Sequence, residues 1–100
     1  MPFGDKTCHN FDLQTVDRVR EVGGVYGLAR PILQTPGWYQ ILYVGKTGNL
    51  RERLQFWLKN PPVAGITHFF GDVVTNPAER GDREAALIAE FNPVGNTLLK

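Results

Sequence analysis

Two short runs rich in aromatic and branched residues, 25–29 and 39–44, dominate the folding options of this 100-residue chain. Such side chains suit the pleated, half-buried surface of a strand. Gly23-Gly24 precedes the first run and Pro31 closes it, because proline has no N–H to give to a ladder. Pro36-Gly37 lies between the runs, one residue with a preset φ and the next tolerant of positive φ. These features predict an antiparallel hairpin with an extended loop over residues 30–38.

The flanking segments read as helices and one more strand. Apolar residues at 13, 16 and 19 predict a short helix over 13–22, stopped by Gly23-Gly24. Asn49 is a good N-cap, and Leu50, Leu54, Trp57 and Leu58 recur at helical spacing up to Lys59. Asn60-Pro61-Pro62 closes that helix, and residues 66–74 form a third strand candidate. Asn76-Pro77-Ala78-Glu79 has the form of a helix start, while Asp82, after Gly81, offers a second one. From either start a helix covers residues 84–91, and Pro93 ends it. The order is helix, hairpin, helix, strand, helix. It predicts one α/β domain of the α+β kind over residues 1–100, with a small, three-stranded, largely antiparallel sheet flanked by helices.

Charge and cysteine content narrow the chemistry. Eleven Lys+Arg against ten Asp+Glu leave a net charge of +1, too little to hold nucleic acid by electrostatics alone. Lys46, Arg51 and Arg53 lie close together, however, and form a candidate basic face. The single cysteine, Cys8, excludes an internal disulfide and every CxxC motif, and His9 beside it does not complete a metal site. No apolar run approaches the roughly 20 residues of a membrane span, and residues 1–10 lack a signal-peptide core. The expectation is a cytoplasmic enzyme or binding module.

Four local patterns carry chemistry, and their order matters more than any one of them. Gly24-Val25-Tyr26 lies on the first strand and Tyr43-Val44-Gly45 on the second. Residues 46–54 read K-T-G-N-L-R-E-R-L and run into the helix; residues 84–96 read E-A-A-L-I-A-E-F-N-P-V-G-N. Taken singly, these residues have ordinary explanations. Strand tyrosines are common, a lysine at a strand end is usually solvated, and Arg53 and Trp57 are spaced to stack on a helix surface. Asparagine after Pro93 is a common turn residue. Those explanations leave the order unaccounted for. Glu84 shares its helical stripe with Leu87, Ile88 and Phe91. A carboxylate there is costly unless paired or metal-bound, although a first-turn glutamate can also reach solvent near the helix dipole. His68 alternates with Phe70 and reads as structural.

The ordered set resembles the GIY-YIG nuclease superfamily, named for paired tripeptides on adjacent strands. It is most similar to the N-terminal incision domain of the bacterial excision-repair nuclease. The resemblance covers about residues 23–96. It implies a metal-dependent DNA endonuclease using one divalent ion, Mg²⁺ or Mn²⁺, in DNA repair, recombination or mobile-element processing. It further implies that Glu84 holds the metal and that Arg53 contacts the scissile phosphate. By the same resemblance Tyr26 and Tyr43 line the site, with Tyr26 at the position proposed to deprotonate or orient the attacking water. Lys46 would assist electrostatically, and Asn96 by fixing geometry.

The chemistry wants such a set. Mg²⁺ binds through one or two carboxylates and keeps several waters. Fixed positive charge must meet the pentacoordinate phosphorus, and a group must position or take a proton from water. A free tyrosine titrates near pH 10, so a tyrosine base needs its pKa lowered by nearby cations. The chain departs from the family in two places. Residues 27–42, between the tripeptides, form a longer stretch than usual, and Trp57 stands where other branches often carry histidine. The near-neutral charge keeps a second expectation open, a non-catalytic nucleic-acid- or protein-binding module on the same fold. It also suggests a DNA-recognition partner or a second copy of the chain.

Overall fold

A computed structural model of the protein describes residues 8–35 and 37–98. In chain order the elements are β1 (His9–Asn10), α1 (Leu13–Val16), β2 (Gly24–Pro31), β3 (Tyr39–Thr47), α2 (Leu50–Lys59), β4 (His68–Val73), α3 (Pro77–Phe91) and α4 (Val94–Leu98). The sheet has four strands rather than the expected three, in the order β1-β4-β2-β3, and every pair is antiparallel. The extra strand is β1, whose two residues pair with His68 and Phe69. So short a strand has no periodicity to betray it, and its partners on β4 define it.

Helices cover both faces. On one, Val25, Ala29, Ile41, Val44 and Phe70 pack with Leu87, Ile88 and Phe91 of α3. On the other, Tyr26, Leu28 and Phe69 pack with Val16 of α1 and with Leu50 and Leu54 of α2. Neighbours on β2 therefore serve opposite faces, as the period of two requires. On β3 a bulge interrupts that period. Leu28 pairs with Tyr43 but Ala29 pairs with Ile41, leaving Leu42 as the extra residue. Ile41 and Tyr43, two positions apart, consequently face α3 and α2 respectively.

The first helix is shorter than the expected 13–22. Asp12 caps it through Thr15 N–H, but after Val16 the chain tightens into i→i−3 bonds at Arg18 and Val19. The segment that follows is tied to α2 instead. Arg51 Nε donates to Val19 O at 2.7 Å, and Leu50 N–H donates to Val22 O at 2.9 Å. The hairpin loop is shorter than expected too, because Arg30 and Pro31 still pair with Gln40 and Tyr39. Of the turn dipeptide, Pro36 lies outside the described residues, and Gly37 has the positive φ, 89°, that its type allows. At the later helix the first start prevails. Asn76 Oδ1 accepts from Ala78 N–H and Glu79 N–H, and α3 passes through Gly81-Asp82 without a break. It ends at Asn92 in the left-handed region, and α4 follows Pro93. Among the described residues no helix is long and apolar enough to cross a membrane.

Candidate active site

The two tripeptides are cross-strand neighbours. Gly24, Val25 and Tyr26 pair with Thr47, Lys46 and Gly45, so Tyr26 stands directly opposite Gly45. The Tyr26 ring lies across Gly45 so closely that a Cβ there would overlap the phenol oxygen. That contact is the physical reason for glycine at this position. Tyr26 is only 2% exposed, whereas Tyr43, on the same face, is half-buried with its ring centroid 6.2 Å away.

From β3 the chain turns into α2 through Thr47, whose hydroxyl oxygen accepts from Asn49 N–H at 3.1 Å. Asn49 then caps the helix, accepting from Glu52 N–H at 3.1 Å. This junction sets the rotation of α2. Leu50 and Leu54 point into the core, Arg53 stays exposed, and Trp57 leans on the tyrosines. Arg53 does not stack on Trp57 as their spacing allowed; its guanidinium carbon lies 5.3 Å from the Phe56 ring centroid. Trp57 instead donates its indole N–H to the Tyr26 hydroxyl at 2.6 Å and meets Tyr43 edge-on at 5.3 Å between ring centroids. Trp57, expected to stack with Arg53 and standing where other branches often carry histidine, thus finds the two tyrosines instead. Its spacing from Leu50 and Leu54 on α2 was legible, but its partner was not.

Glu84 reaches the site from α3. One turn before buried Leu87, its side chain is 23% exposed, in keeping with its place on the apolar stripe. Lys46 Nζ, at the outer end of β3, lies 4.0 Å from Glu84 Oε1, a long ion pair. The carboxylate is near enough to both phenols to push their pKa values up, and Arg53 is near enough to pull both down. Burial is the largest influence on each. It holds Tyr26 far above the ordinary phenol range, partly offset by the Trp57 N–H, and it raises Tyr43 as well. A tyrosine base needs a lowered pKa, so this chain's own groups leave Tyr26 shifted the opposite way.

Asn96 sits apart from the reacting groups, on α4 beside the outer edge of β3. Its Oδ1 accepts from Val44 N–H at 2.8 Å and its Nδ2 donates to Val44 O at 2.7 Å. The carboxamide thus stands in for the next strand, holding the residue between Tyr43 and Gly45. Gly95 makes that approach feasible, since a Cβ there would lie 2.5 Å from Leu42 O. His68 lies elsewhere on the sheet, its ring 5.2 Å from that of Tyr39 and its Nδ1 2.7 Å from Thr67 Oγ1, a structural setting.

The donor set suits a hard divalent cation. Among the described residues no hydrogen bond engages the Glu84 carboxylate, and a single carboxylate with water completing the shell matches the habit of Mg²⁺. No protein-family model matches the sequence, and no curated protein does. Solved structures match well. The GIY-YIG N-terminal endonuclease domain of UvrC from Thermotoga maritima, bound to magnesium as its catalytic divalent cation, superposes with a TM-score of 0.65. The alignment has 26% identity over 82% of this chain and 91% of that one. A point mutant of the same domain bound to its catalytic divalent cation also gives 0.65 at 26% identity, over 82% and 90%. A second gives 0.63 at 26% identity over the same shares. The chain has the fold of these nuclease domains, and the resemblance read from its motifs holds in three dimensions.

Proposed function

We propose that this protein is a divalent-metal-dependent DNA endonuclease that hydrolyses phosphodiester bonds in repair, recombination or mobile-element processing. The observation that carries the proposal is the meeting of Lys46 from β3, Arg53 from α2, Glu84 from α3 and two phenols at one end of the sheet. Glu84 is the residue to hold Mg²⁺ or Mn²⁺, and the bound ion supplies positive charge to phosphate oxygens. Arg53, exposed on α2, offers a planar fork to the scissile phosphate and meets the charge that gathers at pentacoordinate phosphorus. Lys46 adds a second cation beside the carboxylate. The tyrosine pair lines the site and orients the attacking water. Asn96, with both amide atoms on the Val44 backbone, acts by holding Tyr43 in place.

The test is cleavage of a supercoiled plasmid and of branched and flapped oligonucleotides in Mg²⁺ or Mn²⁺, beside Arg53→Ala and Glu84→Ala. Cutting by the parent that both variants lose supports the assignment. A folded parent that binds DNA without cutting it gives the site to the alternative, a binding module. The near-neutral charge further favours a DNA-recognition partner or a second copy for tight binding. Nanomolar affinity of a monomer at physiological salt would refute that part.

A further inference from the structure

Arg80 belongs to none of the four motifs, yet it lies one turn of α3 before Glu84, with its side chain built into the same end of the sheet. Its Nε donates to Val74 O and its Nη2 to Thr75 O, each at 3.0 Å. The guanidinium also lies so close to Gly23 that a Cβ there would overlap it. Two carbonyls and a glycine thus hold the fork in place, and Nη1 is left over. Among the described residues no hydrogen bond engages it. Nη1 faces the turn between β3 and α2, where a Cβ at Gly48 would lie 4.0 Å from it. On α3 itself, a Cβ at Gly81 would lie 3.5 Å from Lys46 Nζ. The fold requires neither glycine. Neither has a positive φ, and outside its own segment a Cβ at either would meet only that one cation, at an ordinary contact distance. A glycine inside a helix is, moreover, destabilising relative to alanine. What the two share is their place, bare backbone around an opening flanked by Arg80 Nη1 and Lys46 Nζ.

We propose, resting on the nuclease reading and deepening it, that this opening is a second phosphate subsite, which takes the DNA backbone phosphate next to the one that is cut. Arg80 Nη1 and Lys46 Nζ supply the cations, and the two glycines let a phosphodiester come close to the main chain. The spacing fits. Arg80 stands four residues before Glu84, about 6 Å along the helix axis, close to one nucleotide step of an extended strand. Arg53 on α2 then meets the scissile phosphate while Arg80 holds its neighbour, and two points fix the path of the strand through the site. The fork needs no rearrangement to bind, because Nε and Nη2 stay on their carbonyls and only Nη1 turns to the ligand. Phosphate contacts of this kind fix register and orientation but carry no sequence information. Arg80 therefore serves affinity and placement, with no part in choosing the sequence cut.

The experiment measures binding of a flapped oligonucleotide by the full chain without divalent ion, where nothing is cut, and its cleavage in Mg²⁺ or Mn²⁺. Arg80→Gln should weaken binding about tenfold or more, as loss of a charged hydrogen bond does. It should also flatten the slope of log affinity against log salt by about one, which loss of a structural clamp alone would not do. In cleavage it should raise KM far more than it lowers kcat. A neutral methylphosphonate in place of the phosphate on one side of the mapped cut should penalise the parent but cost Arg80→Gln almost nothing further. Arg80→Gln also gives up two carbonyl contacts, so Gly81→Ala tests the opening without touching them. That variant should unfold at the parent's urea midpoint or above it, yet bind DNA more weakly. The proposal is overturned if Arg80→Gln keeps the parent's salt slope, if its penalty multiplies with the methylphosphonate penalty on both sides of the cut, or if Gly81→Ala binds as the parent does. A parent that binds DNA without cutting it would sink the nuclease reading, and the salt slope would still decide the subsite. One that binds no DNA at all would overturn both.

Discussion

Replacing Asn96 with alanine removes both hydrogen bonds that tie α4 to the outer edge of β3, those to Val44 N–H at 2.8 Å and Val44 O at 2.7 Å. Val44 is fully buried, so water replaces the lost partners poorly. An unsatisfied buried donor or acceptor costs about 1–3 kcal/mol, which puts the pair at roughly 2–6 kcal/mol. Against a domain stability of about 5–15 kcal/mol that is a large fraction. Urea unfolding should show a lower midpoint with an unchanged slope. Asn96→Asp should be no better, since its carboxylate still accepts from Val44 N–H but sets a second oxygen against Val44 O. Tyr43 and Gly45 flank Val44, so cleavage should fall by about 10–100-fold even where the variant is folded, as small misplacements at a reacting site do. The reasoning fails if Asn96→Ala unfolds at the parent's midpoint while losing cleavage. That result would put Asn96 on the substrate rather than on the strand.

Other perturbations test the remaining parts of the site. Glu84→Gln keeps the size but not the charge, and should abolish Mg²⁺ binding in calorimetry and Mg²⁺-dependent cutting together, with little effect on unfolding. Arg53→Lys keeps a cation but loses the planar fork, and should lower kcat by about 10²–10³ while leaving helix content and stability unchanged; equal rates would exclude a phosphate contact. Gly45→Ala places a Cβ on the Tyr26 oxygen and should destabilise by about 1–3 kcal/mol, less in a Tyr26→Phe background where the hydroxyl is gone. Burial raises the Tyr26 pKa in the folded state above its unfolded value of 10.0. Its contribution to stability is therefore fully present below about pH 10 and is lost as pH rises beyond it. The thermal midpoint of the parent should fall over that alkaline range more steeply than that of Tyr26→Phe, and parallel curves would refute the assignment.

Much of the fold was written locally. Asn49 and Asn76 cap the helices they announce, α2 ends at Lys59, and the two runs of branched and aromatic residues pair as a hairpin. Caps, breakers and side-chain periodicity act over a few neighbouring residues, so they survive reading along a line. The expected helix over 13–22 stops at Val16, and the segment after it is tied to α2, far away in the chain, through the carbonyls of Val19 and Val22. The two-residue β1 exists only because β4 lies beside it.

The site divides the same way. Its motif residues and their order along the chain are sequence properties, as is the apolar stripe that places Glu84 against the sheet. What they touch is not. The bulge at Leu42 turns Tyr43 toward Tyr26 while Ile41 turns away, Asn96 finds the Val44 backbone, and Trp57 finds a hydroxyl instead of the arginine one turn before it. Each of these contacts spans distant segments and depends on strand register and helix rotation. Register and rotation emerge only when both faces of the sheet are packed at once, because a one-residue slip would exchange the two faces.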